Sequence, residues 1–207
     1  VWSAPGSGGK RVLLAEFKAQ SREWVPIDSL RVKSTYKGKP VTIHRLIDAT
    51  LAIEDVRFYH HPGMDAKRIA GAAFANFTKR DATAQGGSTI TEQQARNIYF
   101  KRRKNASQRL QAALLALQLE RRFTKDEILE LYLNEIYYGN GADGCEAAAQ
   151  TYFGKRARDL SISEAAFLAG LPNSPSYLDP FEHFERAQRR QRIVLREMFE
   201  NKKINYQ

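Results

Sequence analysis

Apolar residues recur with a helical period along most of the chain from about residue 45 onward. Spacings of three and four residues place apolar side chains on one face of a helix, so each such stripe predicts an amphipathic helix. A basic helix over about 183–202 is predicted to bury Ile193, Val194, Leu195 and Met198. The other stripes are Ile69, Ala70, Ala73, Phe74 and Phe77; Leu110, Ala113, Leu114 and Leu117; and Ile128, Leu131, Tyr132 and Ile136.

Helix starts are marked at two places by a capping box, in which a hydroxyl residue precedes a glutamate by three positions. Thr124 precedes Glu127 in this way, and Ser161 precedes Glu164. In such a box each side chain binds the backbone amide of the other residue. We therefore expect helices to begin directly after Thr124 and Ser161.

The pattern before residue 45 is different. The segments 11–14 and 40–43 are short β-prone runs, and 37–40 has the composition of a turn. We predict a mainly α fold with a small β-containing N-terminal part. The chain then divides into a lead-in with short strands over 1–45 and a helical domain over 46–207.

Charge narrows the classes of partner. The 207 residues include 33 Lys and Arg against 23 Asp and Glu, a formal net charge of +10. Such a surplus favours partners that carry phosphate: nucleic acid, anionic lipid headgroups or a pyrophosphate-bearing substrate. The single cysteine, Cys145, excludes an internal disulfide. No apolar run approaches the roughly eighteen residues of a membrane span, and no signal peptide is visible.

The segment 54–65 is the first candidate for chemistry, because it combines an acidic pair, aromatics, histidines and a Pro-Gly turn. A carboxylate can take a proton from a sugar hydroxyl, and Glu54 is our candidate for that general base. The alternative is an ordinary solvated or salt-bridged carboxylate pair at a helix end. Adjacent His60 and His61 point in different directions and lack metal-ligand spacing, so we predict no metal site.

The segment 86–94 is the second candidate. Its two glycines let backbone approach a ligand closely, and the hydroxyls that follow can start a helix whose free amides favour an anion. The alternative is a loop followed by a helix cap. Either Thr89 with Glu92 or Thr91 with Gln94 would make a capping box there.

These segments belong to five ordered blocks that resemble a known family: 54–65, 86–94, 116–120, 125–134 and 169–172. They resemble the peptidoglycan glycosyltransferases, the lysozyme-like family 51 of class A penicillin-binding proteins and monofunctional transglycosylases. The resemblance spans about residues 45–200 and implies a lysozyme-like helical domain. It also implies polymerisation of lipid II: the acceptor 4-hydroxyl attacks the donor anomeric carbon with inversion, and lipid pyrophosphate leaves.

The resemblance also implies a role for individual residues. Glu54 corresponds to the general base. Substrate-binding positions are Asp55, Ser88, Thr89, Gln93, Arg96, Asn97 and Arg109. Positions that shape the site are Phe58, His61, Gly63, Asp65, Lys125, Glu130 and Asn134.

The chain departs from the family at Ala112, which stands where a second catalytic glutamate is expected. Gln108 replaces one cation of an Arg-Lys pair, and Glu92 replaces a glutamine. Three accounts of Ala112 are open: an introduced substitution, a natural variant that uses Glu92 or Glu120 instead, and a chain that binds substrate without turnover. Glu120 is two helical turns from Ala112, too far along the axis to substitute simply. Glu92 is already explained as a capping residue. We favour a natural member with weak, altered or absent activity.

The resemblance implies lipid II and the growing glycan strand as partners, together with other cell-wall synthesis proteins. A membrane surface is a further partner, which the 69–77 stripe could enter if it is not core. No cofactor is required, although a divalent cation, Mg²⁺ or Mn²⁺, could assist. The expected location is the outer face of the bacterial cytoplasmic membrane, with an anchor upstream of Val1.

Other classes of function are weaker. Ala112 supports a non-catalytic lipid II-binding domain, and another lipid-linked glycan could replace lipid II. A nucleic-acid binder has only the basic charge in its favour, because no nucleic-acid motif is present. The basic block and the missing second acid argue against a glycan-cleaving lysozyme relative.

Overall fold

A computed structural model describes residues 23–36, 38–67, 88–99 and 106–204. The fold class is confirmed, because helices dominate these ranges and a two-stranded sheet lies near their start. Short 3₁₀ turns occupy Ile27–Leu30, Phe58–His60, Ala157–Asp159 and Leu171–Asn173. The helices are α1 (Arg45–Glu54), α2 (Ile90–Tyr99), α3 (Ala106–Arg122), α4 (Lys125–Glu135), α5 (Cys145–Phe153), α6 (Ile162–Gly170) and α7 (Pro180–Glu200).

The sheet is an antiparallel hairpin of β1 (Val32–Tyr36) and β2 (Lys39–Ile43), with Val32 opposite Ile43. The β-prone run 40–43 is therefore confirmed. Of the turn predicted at 37–40, Gly38 is a turn residue, whereas Lys39 and Pro40 belong to β2 and Lys37 lies outside the described residues. The other β-prone run, 11–14, and the apolar stripe 69–77 lie outside the described residues.

The core is centred on α1, which packs against α6 and α7. Residues 165–170 of α6 are all buried, as a continuous apolar run surrounded by other helices should be. On α7 the buried residues are Ala187, Val194 and Met198. The prediction that Ile193 is buried is wrong, since it is 36% exposed. It lies about 100° around the helix from Val194 and so leaves the buried face.

Helices α2 and α3 pack against each other through small side chains. Ala95 of α2 meets Ala112 of α3, and Leu119 completes this buried cluster. The residues of the apolar stripe predicted on α3 lie in a helix, but the stripe does not face the core, since Leu110 is 66% and Leu114 56% exposed. Alanines let the two helices approach closely, so the face of α3 that carries Ala112 is buried, whereas Leu110 and Leu114 point outward.

Local helix signals are confirmed. Both capping boxes are complete: Thr124 binds Glu127 at the start of α4, and Ser161 binds Glu164 at the start of α6. On α4 the predicted stripe is also confirmed, because Ile128, Tyr132 and Ile136 are buried and Leu131 is half-buried.

Polar side chains of α4 bind the segment that precedes the hairpin. Asn134 accepts the Val25 N–H at 2.8 Å and donates to the Val25 carbonyl at 2.9 Å. Glu130 accepts the indole N–H of Trp24 at 2.7 Å and the Ile27 N–H at 2.8 Å. These bonds bring Val25 and Ile27 into the main core. The predicted division at residues 45 and 46 stays a prediction.

We expect Asn134→Ala to lower the free energy of unfolding by about 2 kcal/mol or more, because it strands the buried N–H and C=O of Val25. Gln150→Ala is the control. Gln150 is exposed on α5, where alanine suits the helix, and its side-chain amide donates to Glu146 at 3.3 Å, so its loss should cost about 1 kcal/mol or less. Urea unfolding measures both, and equal losses would contradict this role of Asn134.

Candidate active site

Asp55 joins the end of α1 to the start of α2. Its carboxylate is 1% exposed, accepts the backbone N–H of Ile90 at 3.0 Å, and lies 2.9 Å from Nε2 of His61. The first amides of a helix have no partner within the helix, and the helix dipole favours an anion there. Asp55 therefore fixes where α2 begins relative to Glu54, the last residue of α1.

The hydrogen bonds of His61 assign its tautomer. Nδ1 accepts the backbone N–H of Gly63 at 3.2 Å, so the ring proton lies on Nε2 and is donated to Asp55. The ring is buried with that carboxylate. The imidazole thus links the Pro-Gly turn to the acidic pair, and the site-shaping role expected of His61 stays a prediction.

Gly63 brings this turn against α2 and α3. Its φ is +96°, and a Cβ there would lie 3.0 Å from the carbonyl oxygen of Ala116 and 3.1 Å from Cγ of Glu120. Its own carbonyl accepts the Thr89 hydroxyl at 2.6 Å. Gly63 therefore combines a left-handed backbone with close contact to two helices.

The rest of the 54–65 segment is held by paired side chains. Asp65 is buried and receives two hydrogen bonds from Arg57, which raise the pKa of that guanidinium. Phe58 is 1% exposed, and Nζ of Lys125 lies 4.4 Å from its ring centroid. The structure thus brings Phe58, Asp65 and Lys125 together around the turn.

Glu54 is oriented by a chain of polar groups. The side-chain amide of Gln93 donates to the Glu54 carboxylate at 2.7 Å, and the Tyr132 hydroxyl lies 3.4 Å from the amide oxygen of Gln93. Burial raises the pKa of Tyr132 well above its ordinary value, so it remains a neutral donor. Glu54 itself is half-buried. A positioned, half-buried carboxylate of this kind can accept a proton from a bound hydroxyl.

Arg190 of α7 belongs to the tail that resembles the last block of the family, but the sequence did not predict that it would lie near Glu54. Its stem crosses α6 at Gly170, where a Cβ would lie 2.9 Å from Cγ of Arg190. Burial lowers the pKa of Arg190, and the charge of Glu54 opposes that effect. In the described structure, its buried Nε has no hydrogen-bond partner. The 136-residue separation from Glu54 left no local signal to find.

The first turn of α2 places the predicted donor-binding residues together. Nη1 of Arg96 donates to the Ser88 hydroxyl at 3.1 Å. The Thr89 hydroxyl accepts the Glu92 N–H at 3.1 Å, so the Thr89 and Glu92 cap is the one that forms. Thr91 instead donates to the Glu120 carboxylate at 2.5 Å.

Several predicted site residues lie elsewhere or outside the described part. Glu130 and Asn134 bind the segment 24–27 rather than the Glu54 group. The Asn97 side-chain nitrogen is buried and, among the described residues, lacks a hydrogen-bond partner. The Arg109 side chain and the 86–87 glycine pair lie outside the described residues. Their substrate-binding roles stay predictions.

Ala112, where the resemblance led us to expect a second acid, is fully buried in the cluster that contains Ala95. Thr91 and Lys125 both donate to the Glu120 carboxylate, at 2.5 and 2.7 Å, and so hold it between α2 and the start of α4. Within the described ranges, no group of three or more His, Cys, Asp and Glu is arranged to hold a metal ion. Participation of a divalent cation stays an expectation.

We expect Gly63→Ala to destabilise the protein more than Gly38→Ala. Both glycines have positive φ, which costs an alanine about 1–2 kcal/mol. Nothing lies within 4 Å of a Cβ at Gly38, whereas at Gly63 the contact with α3 should add about 1–3 kcal/mol. Thermal unfolding compares the two variants, and equal shifts would show that the turn does not press on α3.

Comparison with known proteins matches this site to a family. Penicillin-binding protein 2D of Bacillus subtilis is 43% identical over 186 residues, which are 90% of this chain and 25% of that protein. A Cupriavidus necator protein named for transglycosylase activity is 48% identical over 204 residues, 96% of this chain and 86% of that protein. The crystal structure of penicillin-binding protein 1A from Haemophilus influenzae aligns with 56% of this chain and 14% of that chain, at 34% identity and a TM-score of 0.39.

The chain thus spans about a quarter or less of the length of the penicillin-binding proteins 2D and 1A that head its relatives. The family profile described as Transglycosylase matches residues 10–199, nearly the whole chain. The ordered blocks around Glu54 and the first turn of α2 fall within that match. This chain is a member of the transglycosylase family, the glycosyltransferases of peptidoglycan synthesis.

Proposed function

We propose that this chain polymerises lipid II, with Glu54 as the general base. The observation that carries the proposal is the orientation of Glu54 by Gln93, which Tyr132 supports in turn. An amide N–H donated to one carboxylate oxygen leaves other lone pairs to accept a proton from a sugar hydroxyl. The Asp55 contact with α2 holds this arrangement together.

The proposed reaction is an inverting displacement at the anomeric carbon of the donor. The acceptor 4-hydroxyl gives its proton to Glu54 as its oxygen attacks the anomeric carbon of the donor from the face opposite the leaving group. The bond to pyrophosphate breaks, its electron pair stays on the pyrophosphate oxygen, and the anomeric configuration inverts. Fixed cations stabilise the negative charge that develops there.

The first turn of α2 is the proposed site for that pyrophosphate. Arg96 and Ser88 are already hydrogen-bonded to each other beside it, and a guanidinium binds phosphate oxygens through charge-assisted hydrogen bonds. Arg109, Thr89 and Asn97 are the further donor-binding residues in this proposal. A strongly positive chain, at +10, suits a substrate that carries two phosphates.

A bilayer surface is the proposed source of the substrate, because lipid II is lipid-linked. Apolar side chains are exposed where α2 ends and α3 begins: Ile98 at 40%, Tyr99 at 56%, Leu110 at 66% and Leu114 at 56%. Such a patch can enter the interfacial layer of a membrane. Among the described helices, none is long and apolar enough to cross one. We propose the outer face of the cytoplasmic membrane as its location.

The burial of Ala112 favours a second candidate: a domain that binds lipid II without polymerising it. Ala112 is 0% exposed within an apolar helix contact, so no carboxyl group projects from α3 at this position. The two candidates share the binding residues and differ in turnover alone. An assay that reports both binding and polymer therefore separates them.

We expect Glu54→Gln to slow polymerisation of labelled lipid II by about 10²–10⁴-fold, since it removes the base, while lipid II binding changes little. Glu200→Gln is the control, because Glu200 also ends a helix but is exposed. An active parent with an equally active Glu54→Gln variant would exclude Glu54 as the base. A parent that binds lipid II and makes no polymer would establish the binding domain instead.

A further inference from the structure

A cavity of about 150 Å³ lies between the segment that precedes the hairpin and the turn that follows α5. It shares no residue with the group around Glu54. Residues of the segment 23–29 form its first wall, and the second wall consists of charged residues: Glu146, Arg156 and Arg158. A cavity of this volume can hold one benzene molecule. It therefore has room for a group of side-chain size.

The first wall presents apolar surface at Trp24, Val25 and Pro26. The indole of Trp24 is 48% exposed, but its N–H already donates to Glu130 at 2.7 Å. Both backbone groups of Val25 are bonded to Asn134, and Pro26 has no N–H to donate. These bonds hold the wall in place and leave an indole and a proline ring as its contact surface. A flat apolar group suits such a surface.

The second wall presents two guanidinium groups on either side of one fixed residue. The Glu146 carboxylate is buried and accepts the Ala157 N–H at 2.9 Å, which holds the backbone between Arg156 and Arg158. Both arginines are exposed. Arg158 lies 3.8 Å from the Asp159 carboxylate, beyond hydrogen-bond distance. In the part of the chain that the structure describes, Arg156 forms no ion pair, so both side chains can donate to an anion.

Two acids also line the cavity, and their surroundings differ. Both oxygens of Glu146 accept hydrogen bonds, from Ala157 and from the Gln150 side chain, so this carboxylate serves the turn. Glu23 is exposed beside the first wall. Its charge opposes a bound anion, and its removal should therefore strengthen the binding of one.

We propose that this cavity binds a carboxylate carried on a flat apolar group of about the size of a benzene ring. The ring lies against Trp24 and Pro26, and the carboxylate accepts charge-assisted hydrogen bonds from Arg156 and Arg158. A free aromatic acid carries this chemistry, and so does the carboxyl end of a peptide whose last residue is aromatic. The site goes beyond the proposed function and does not depend on it.

Titration of the isotope-labelled chain with phenylacetate tests the site, with the indole N–H signal of Trp24 as the reporter. We expect a saturable shift with a Kd on the order of 1 mM, as is ordinary for so small a ligand. Phenylacetamide is the neutral counterpart and should bind at least about tenfold more weakly, because it accepts no charge-assisted hydrogen bond.

The same titration with acetyl-glycyl-phenylalanine distinguishes the two sources of the carboxylate. Tighter binding of this peptide than of phenylacetate identifies the carboxyl end of a peptide, and weaker binding identifies a free aromatic acid. Either result supports the site, provided that the peptide amide binds more weakly than the peptide acid.

The double variant Arg156→Gln/Arg158→Gln removes both cations without changing a buried side chain. We expect it to weaken phenylacetate binding about tenfold. The matched control is Arg189→Gln/Arg192→Gln, which removes two exposed charges from α7 and should change the affinity by less than about twofold. Glu23→Gln should strengthen binding about twofold, since it removes a like charge.

Three results would overturn the inference. They are a Trp24 signal that does not saturate, equal affinity for phenylacetate and phenylacetamide, and unchanged affinity in the double variant of Arg156 and Arg158. Weaker binding in that variant with unchanged thermal unfolding supports it, because the loss then comes from the cations and not from the fold. None of these measurements depends on polymerisation of lipid II, so the proposed function is tested separately.

Discussion

The contact between the Asp55 carboxylate and the backbone of Ile90 is the interaction on which the site depends. It joins two helices that are 35 residues apart in sequence, and it places Glu54 next to the turn that carries Gln93. The same carboxylate fixes the neutral His61 ring, which in turn positions Gly63. Because Asp55 is buried, a substitution that breaks one of these hydrogen bonds leaves a buried charge or a buried donor without that partner.

Small residues and positive φ angles let the other elements of the site approach one another closely. Gly63 lets the turn contact α3, and alanines at 95 and 112 let α2 and α3 approach each other. This close packing surrounds Ala112, the position at which the resemblance led us to expect a second carboxylate.

Local patterns predicted the parts of the structure that local hydrogen bonds determine. The capping boxes at Thr124 and Ser161 formed as expected, and the 54–65 segment folded into one connected group. The buried face of α3 could not be predicted in the same way. Leu110 and Leu114 have the spacing of a core stripe, but the choice of face depended on Ala95, a residue of another helix. Likewise, the surroundings of Glu92 and Arg190 depend on contacts between helices, which the spacing of apolar residues along the sequence does not predict.

The most direct test of this account is lipid II polymerisation by Asp55→Asn compared with Asp126→Asn. Asp55 accepts hydrogen bonds from His61 and from the backbone of Ile90. Asp126 likewise accepts hydrogen bonds from Arg31 and Tyr59. An asparagine at 55 turns its NH₂ group towards one of two donors and so releases either α2 or His61. We predict that Asp55→Asn loses polymerisation by about 100-fold or more, while Asp126→Asn retains it. Parental activity in Asp55→Asn would contradict the central place of this contact.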